Sequence, residues 1–71
     1  MSLADVKFGK EYRIKSLVQN TFTPKLLALG FIKNASVELV RKSLFGATYF
    51  VRIEHNYVAL REEELSTIEV L

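Results

Sequence analysis

His55 is the single histidine in 71 residues, and no cysteine accompanies it. A transition-metal shell draws on imidazole and thiolate ligands, and a nucleophile relay needs a base beside its hydroxyl or thiol. One histidine in a predicted hairpin turn supplies neither. The triplet Glu62-Glu63-Glu64 is the only run of carboxylates. Consecutive side chains on one turn point in different directions, so the triplet reads as a solvated acidic cap and not as a cage for a hard cation. Gly9, Gly30 and Gly46 stand far apart and make no phosphate-cradling loop. By elimination the chain is a binding module and not an enzyme, with no catalytic residue, no metal ligand and no cofactor expected.

A binding module needs a surface. Leu44-Phe45-Gly46 forms an apolar loop, Phe50 falls on the outer face of the strand that follows, and Lys42, Arg52 and Arg61 border them. An apolar patch with a charged rim marks a contact site. The candidate partner-binding residues are therefore Lys42, Leu44, Phe45, Gly46, Phe50 and Arg52. A packing role is equally open: Phe50 can lie under the N-terminal segment, where Leu3, Val6 and Phe8 also need cover, and Phe45 can plug one end of a barrel. An apolar loop on a small basic domain also suits a homodimer or trimer.

Charge and composition narrow the partner. Ten Lys and Arg against eight Asp and Glu give +2, too mild a balance to imply nucleic acid. The distribution is uneven: nine basic and three acidic residues precede position 53, whereas residues 53–71 hold Arg61 against five glutamates. A weak nucleic-acid-binding barrel would use Tyr49, Phe50 and Tyr57 as stacking groups, but the hairpin pattern turns Tyr49 inward and leaves two. The N-terminal Met-Ser-Leu-Ala-Asp-Val-Lys has no apolar stretch behind a basic start. No apolar run approaches the ~18 residues of a membrane helix. The expectation is one soluble cytoplasmic domain over residues 1–71, stabilised by its 49% of apolar residues without disulfides.

The elements that must position these residues are mostly β. Residues 10–18 alternate with Tyr12 and Ile14 on one face, and Leu17 breaks the parity, which predicts a bulge or the end of the strand. Thr23-Pro24 reads as a helix start, with the threonine at the N-cap and the proline where a missing N–H is harmless. A helix of about 24–30 follows, with Leu26 and Leu29 turned to the core and Gly30 at C′. Lys33-Asn34 makes a turn in which asparagine takes a positive φ. Ser36–Lys42 is the second strand, Ala47–Glu54 the third and Tyr57–Arg61 the fourth. A turn at His55-Asn56 pairs Glu54 with Tyr57, Ile53 with Val58 and Val51 with Leu60, which keeps one face apolar; a one-residue slip destroys that segregation. Glu62–Leu65 reads as one turn of 3₁₀ helix, and Thr67–Val70 as a closing strand with Ile68 and Val70 inward. Five short strands bury one face by closing into a small barrel, which also removes exposed edges.

Taken in order, these stretches resemble the FeoA family of ferrous iron transport protein A. Gly9-Lys10-Glu11-Tyr12-Arg13-Ile14 matches its G-x-x-Y/A-x-I opening, and Lys25-Leu26-Leu27-Ala28-Leu29-Gly30 its R/K-L-x-x-L-G helix. Val37–Arg41 matches an alternating strand, and Ala59-Leu60-Arg61 through Glu64–Val70 the A-L-R-x-x-E-A-x-x-I-x-V ending. Departures are Asn34 for the usual turn glycine, Leu44 and Thr48 for the two loop prolines, Ala47 for an aspartate and Leu65 for an alanine. The resemblance implies an SH3-like five-stranded barrel with a short helix between its first two strands. It also implies a cytoplasmic accessory role beside a large membrane ferrous iron transporter, FeoB, whose cytosolic region binds GTP. On that reading Phe45→Ala is expected to weaken docking without unfolding the domain. A stimulator of GTP hydrolysis can lend an arginine; Arg41, Arg52 and Arg61 are available, and nothing in the sequence singles one out. The same barrel occurs as a regulatory tail of metal-dependent repressors, so a module acting in trans on such a repressor is the alternative.

Overall fold

The computed structural model describes residues 1–44 and 46–71. Strands β1 (Glu11–Leu17), β2 (Ser36–Lys42), β3 (Thr48–Ile53), β4 (Asn56–Arg61) and β5 (Ile68–Val70) form one antiparallel sheet in the order β4-β3-β2-β1-β5. Helix α1 (Thr23–Ala28) lies between β1 and β2, as expected, and α2 (Glu62–Leu65) joins β4 to β5. A single 3₁₀ turn at Leu3–Asp5 precedes the sheet. The expected closure of the ladder is not seen among the described residues: β4 and β5 remain its outer strands. The N-terminus covers β5, through a bridge from Ser2 to Glu69 and a bond from the Val70 N–H to the Met1 carbonyl.

β1 is the strand that bends the sheet into two halves. Its first part pairs with β2, from Glu11↔Glu38 to Arg13↔Ser36, and its second part pairs with β5. The register shifts between Ile14 and Ser16. That bulge realises the parity break read at Leu17: the extra residue re-aims the second half of the strand. A second shift falls between Leu39 and Arg41 on β2. The core fills the concave side with Leu3, Ile14, Leu26, Phe31, Val37, Leu39, Val51, Ile53, Leu60, Leu65, Ile68 and Val70. No buried side-chain nitrogen or oxygen among the described residues lacks a hydrogen-bond partner.

Local chemistry explains the helix and corrects its start. Thr23 is the first helical residue and not its cap; Phe22 holds the N-cap position with no side-chain bond. The Thr23 hydroxyl instead donates to the Val18 carbonyl (2.7 Å) and accepts from the Asn20 N–H (3.0 Å), while Asn20 Oδ1 accepts from the Phe22 N–H. The polar connection thus caps itself. At the other end Gly30 has φ +101°, and bonds from Phe31 N to the Leu26 carbonyl and from Gly30 N to the Leu27 carbonyl close a Schellman motif. Asn34 takes φ +71°, as the turn requires.

The β3–β4 hairpin keeps the predicted faces and changes the predicted register. Glu54 and His55 form the turn, so Ile53 pairs with Asn56, Arg52 with Tyr57 and Val51 with Val58. The predicted pair Glu54 with Tyr57 is displaced by two residues. A shift of two leaves every side chain on its face, so hydrophobic alternation cannot distinguish the registers. Hydrogen bonds to β2 decide: the Glu54 N–H donates to the Ser36 carbonyl (2.8 Å) and Glu54 Oε1 accepts from the Ser36 N–H (2.9 Å), which holds Glu54 at φ +51°.

Candidate functional site

The hairpin linking β2 to β3 carries most of the sequence-derived candidates. Its neck is closed by the Ser43 N–H donating to the Thr48 carbonyl (2.9 Å) and by the two hydroxyls in contact at 3.2 Å. Between them a side chain at Gly46 would meet Ser43 Oγ at 3.1 Å and Thr48 Oγ1 at 3.4 Å, so the glycine answers a close approach. Leu44 is 83% exposed and has no core role. Phe45 lies outside the described residues.

Arg41 and Lys42 alternate in face, and the bulge on β2 brings Arg41 and not Lys42 to the outer one. Arg41 pairs with Phe50 on the outer face, and its guanidinium lies over the ring at 4.5 Å. Lys42 pairs with Tyr49, with its ammonium 5.5 Å from that ring. Tyr49 is partly buried, stacks with Phe8 at 6.5 Å and reaches Glu62 Oε1. Phe8, and not Phe50, is therefore the aromatic that the N-terminal segment brings to the sheet. Phe50 stays half-buried beside Ala59 on the outer face, where Tyr57 is also exposed. The result is an apolar outer face flanked by cations, continuous across β3 and β4 and next to the exposed Leu44. Such a face can bury aromatic surface against a partner and offer charge at its rim.

Arg52 lies on the same face, opposite Tyr57, but its guanidinium is engaged within the sheet. Cross-strand pairing lines up Glu11, Glu38 and Arg52 over three strands. The guanidinium contacts Glu38 Oε1 (3.4 Å) and Glu11 Oε1 (3.7 Å), and donates to the Glu54 carbonyl (2.8 Å) and to Ser36 Oγ (3.1 Å). Its side chain is 18% exposed. It neutralises two neighbouring carboxylates and fixes the β3–β4 turn, work that sequence reading missed because the pairing of Glu11 with Glu38 spans 27 positions of chain.

Two further features escaped the sequence. Glu64 was expected to be solvated; it is 5% exposed, accepts from the Arg61 N–H (2.9 Å) and contacts Lys25 Nζ at 2.6 Å. Burial pushes its pKa up, but the Arg61 N–H and the Lys25 ammonium outweigh this and hold it below the ordinary value. The last is an open groove between α1 and the second half of β1, bordered by Leu17, Leu27 and Ile32. The spacing of Leu26 and Leu29 carried a signal for it, because a helix that turns those two inward leaves Leu27 outside. Among the described residues no three His, Cys, Asp or Glu side chains gather into a metal-binding cluster, and no helix is long and apolar enough to cross a membrane.

Comparison with known proteins adds to this geometry. The family model described as the FeoA domain matches residues 1–71. A Campylobacter jejuni protein assigned by name as an Fe(2+) transport protein A is 37% identical over 71 residues, covering 99% of this chain and 96% of that protein. The solution structure of iron(II) transport protein A from Clostridium thermocellum superposes with a TM-score of 0.85 at 31% identity, over 99% of this chain and 44% of that one. The present chain thus spans less than half of that neighbour. The crystal structure of Stenotrophomonas maltophilia FeoA with zinc, described as a procaryotic SH3 domain protein, gives 0.86 at 24% identity over 99% and 88% of the two chains. At that identity the likeness speaks for an SH3-like fold.

Proposed function

This chain belongs to the FeoA domain family, and from that premise we propose that it is a cytoplasmic accessory protein of ferrous iron transport. It docks on the cytosolic GTP-binding region of a FeoB-type membrane transporter and modulates transport or nucleotide turnover. The observation that carries this reading is the family match over the whole of residues 1–71, joined to 37% identity with an Fe(2+) transport protein A over nearly the full length of both chains.

The contact surface is the outer face around Phe50 with the adjoining β2–β3 loop at Leu44 and Gly46, and Lys42, paired with Tyr49 on the opposite face, lies at its edge. Exposed Leu44 and half-buried Phe50 supply the apolar centre, with Arg41 and Lys42 beside it. Arg52 lies on the same face, opposite Tyr57, and acts as a positioning residue, since its donors are directed at Glu38, Glu11, Glu54 and Ser36. Titrating the isotope-labelled chain with the GTP-binding region of the transporter from the same genome tests the reading by amide NMR. Localised shifts within residues 42–44 and 46–50 support it. Absence of binding both to that region and to the intact transporter in detergent overturns it.

A further inference from the structure

The groove between α1 and β1 is a concave, largely apolar surface that the docking face does not use. It encloses about 320 Å³, the lower end of the ~300–1,000 Å³ range of ligand pockets, which suits one or two side chains better than a nucleotide. Its floor is the fully buried Phe31, and its rim is formed by Leu17, Leu27 and Ile32. Leu27 is 49% exposed and Ile32 56% exposed. Apolar groups so placed are costly to leave in water unless something covers them.

The walls are preformed. Asn34 N donates to the Ile14 carbonyl (2.8 Å) and Ile14 N to the Ala35 carbonyl (3.0 Å), which ties the segment carrying Ile32 and Lys33 to β1. The Schellman motif at Gly30 fixes the exit of α1 on the opposite side. The bulge on β1 falls at Lys15, so this lysine joins the lining. Among the described residues, Lys15 and Lys33 are the only charged ones that line the groove, and no carboxylate does. An apolar slot bounded by two cations selects for apolar side chains flanked by negative charge.

We propose that this groove is a second docking site, which receives a partner segment bearing one or two large apolar side chains between Asp or Glu residues. The inference rests on the docking reading for the existence of a protein partner, but not for the position of the contact. Occupancy buries Leu27 and Ile32 and brings the partner's carboxylates to Lys15 and Lys33. Binding through it therefore weakens with added salt.

Calorimetry of the GTP-binding region of the transporter against the wild-type chain, Lys15→Glu/Lys33→Glu and Leu27→Ala tests this, with amide shifts recorded for each. The lysines are exposed, so the double variant folds, and thermal melts check that it does. The expected result is at least a tenfold loss of affinity in the double variant, a loss in Leu27→Ala, and wild-type shifts at residues 14–17, 27 and 31–33. Unchanged affinity in both variants, with a loss in Phe50→Ala, overturns the groove and leaves the docking reading standing. Failure of the wild type to bind either that region or the intact transporter overturns the docking reading and the groove with it. Concentration-dependent groove shifts in the chain alone, with a dimer by sedimentation, would assign the groove to a second copy and also overturn the proposal.

Discussion

Lys25 Nζ and Glu64 Oε2 meet at 2.6 Å and tie the first turn of α1 to the single turn of α2, 39 positions apart. The carboxylate is buried and also accepts from the Arg61 N–H at the mouth of its own helix. Its lowered pKa favours the ionised form in the folded state. A depressed carboxylate pKa contributes stability above its unfolded value, here 4.5, and that contribution fades as pH falls through the lower folded value. Glu64→Gln should therefore cost about 1 kcal/mol at neutral pH, the charge-assisted bond being half-exposed on the lysine side. Urea midpoints of wild type and variant should converge below pH 4.5.

Gly30→Ala should destabilise the domain through the backbone alone. A Cβ at this position would meet only Ile53 Cγ1, at 3.9 Å, so space is adequate. The φ of +101° is what an alanine cannot adopt without strain. A loss of about 1–2 kcal/mol is expected, and a domain of this size loses ~4–8 °C per kcal/mol. Differential scanning calorimetry measures it.

Arg52→Ala should lower stability before it affects any partner. The substitution leaves Glu38 without its cation and Glu11 with only the exposed Arg13 at 3.8 Å, and frees the Glu54 carbonyl at the turn. A cost of about 1–3 kcal/mol is expected from the lost charged hydrogen bonds. Added salt should recover part of it by screening the two carboxylates. Thermal melts at low and high salt read both effects.

Phe50→Ala should behave in the opposite way. Its ring is half-buried on the outer face beneath Arg41, so the folded state loses mainly a cation–π contact of about 0.5–1 kcal/mol. Removing an aromatic from the centre of an interface costs more. At least a tenfold weaker affinity for the transporter is expected, about 1.4 kcal/mol, measured at a temperature where both proteins are folded.

Much of the fold was legible because local rules sufficed. Ser36–Lys42 was read with its true ends, Gly30 and Asn34 with their positive φ, and the broken parity at Leu17 as a bulge or a strand end, of which the bulge lies at Ile14–Ser16 and the strand ends at Leu17. Errors arose where a distant partner decided. The hairpin register slipped by two because alternation has a period of two, and the deciding bonds come from Ser36 on β2. Glu64 looked solvated among its neighbours because Lys25 lies far away in sequence. Thr23 looked like a cap because its true acceptor, the Val18 carbonyl, lies five positions back, just beyond the end of β1. Of the candidate residues, Leu44 is exposed and Phe50 half-buried on the outer face, positions that strand alternation and the loop assignment allowed to be read. The candidate site was not legible in Arg52, whose neighbours come from β1 and β2, nor in the groove, whose walls come from two elements.

The central claim is docking on the transporter, and saturable binding measures it most directly. The intact transporter in lipid nanodiscs would be passed over the immobilised chain and over Phe50→Ala, with empty nanodiscs as the control. The account predicts saturable binding to the wild type, weakened at least tenfold by the substitution and absent with empty nanodiscs. Equal signals from loaded and empty discs would contradict it.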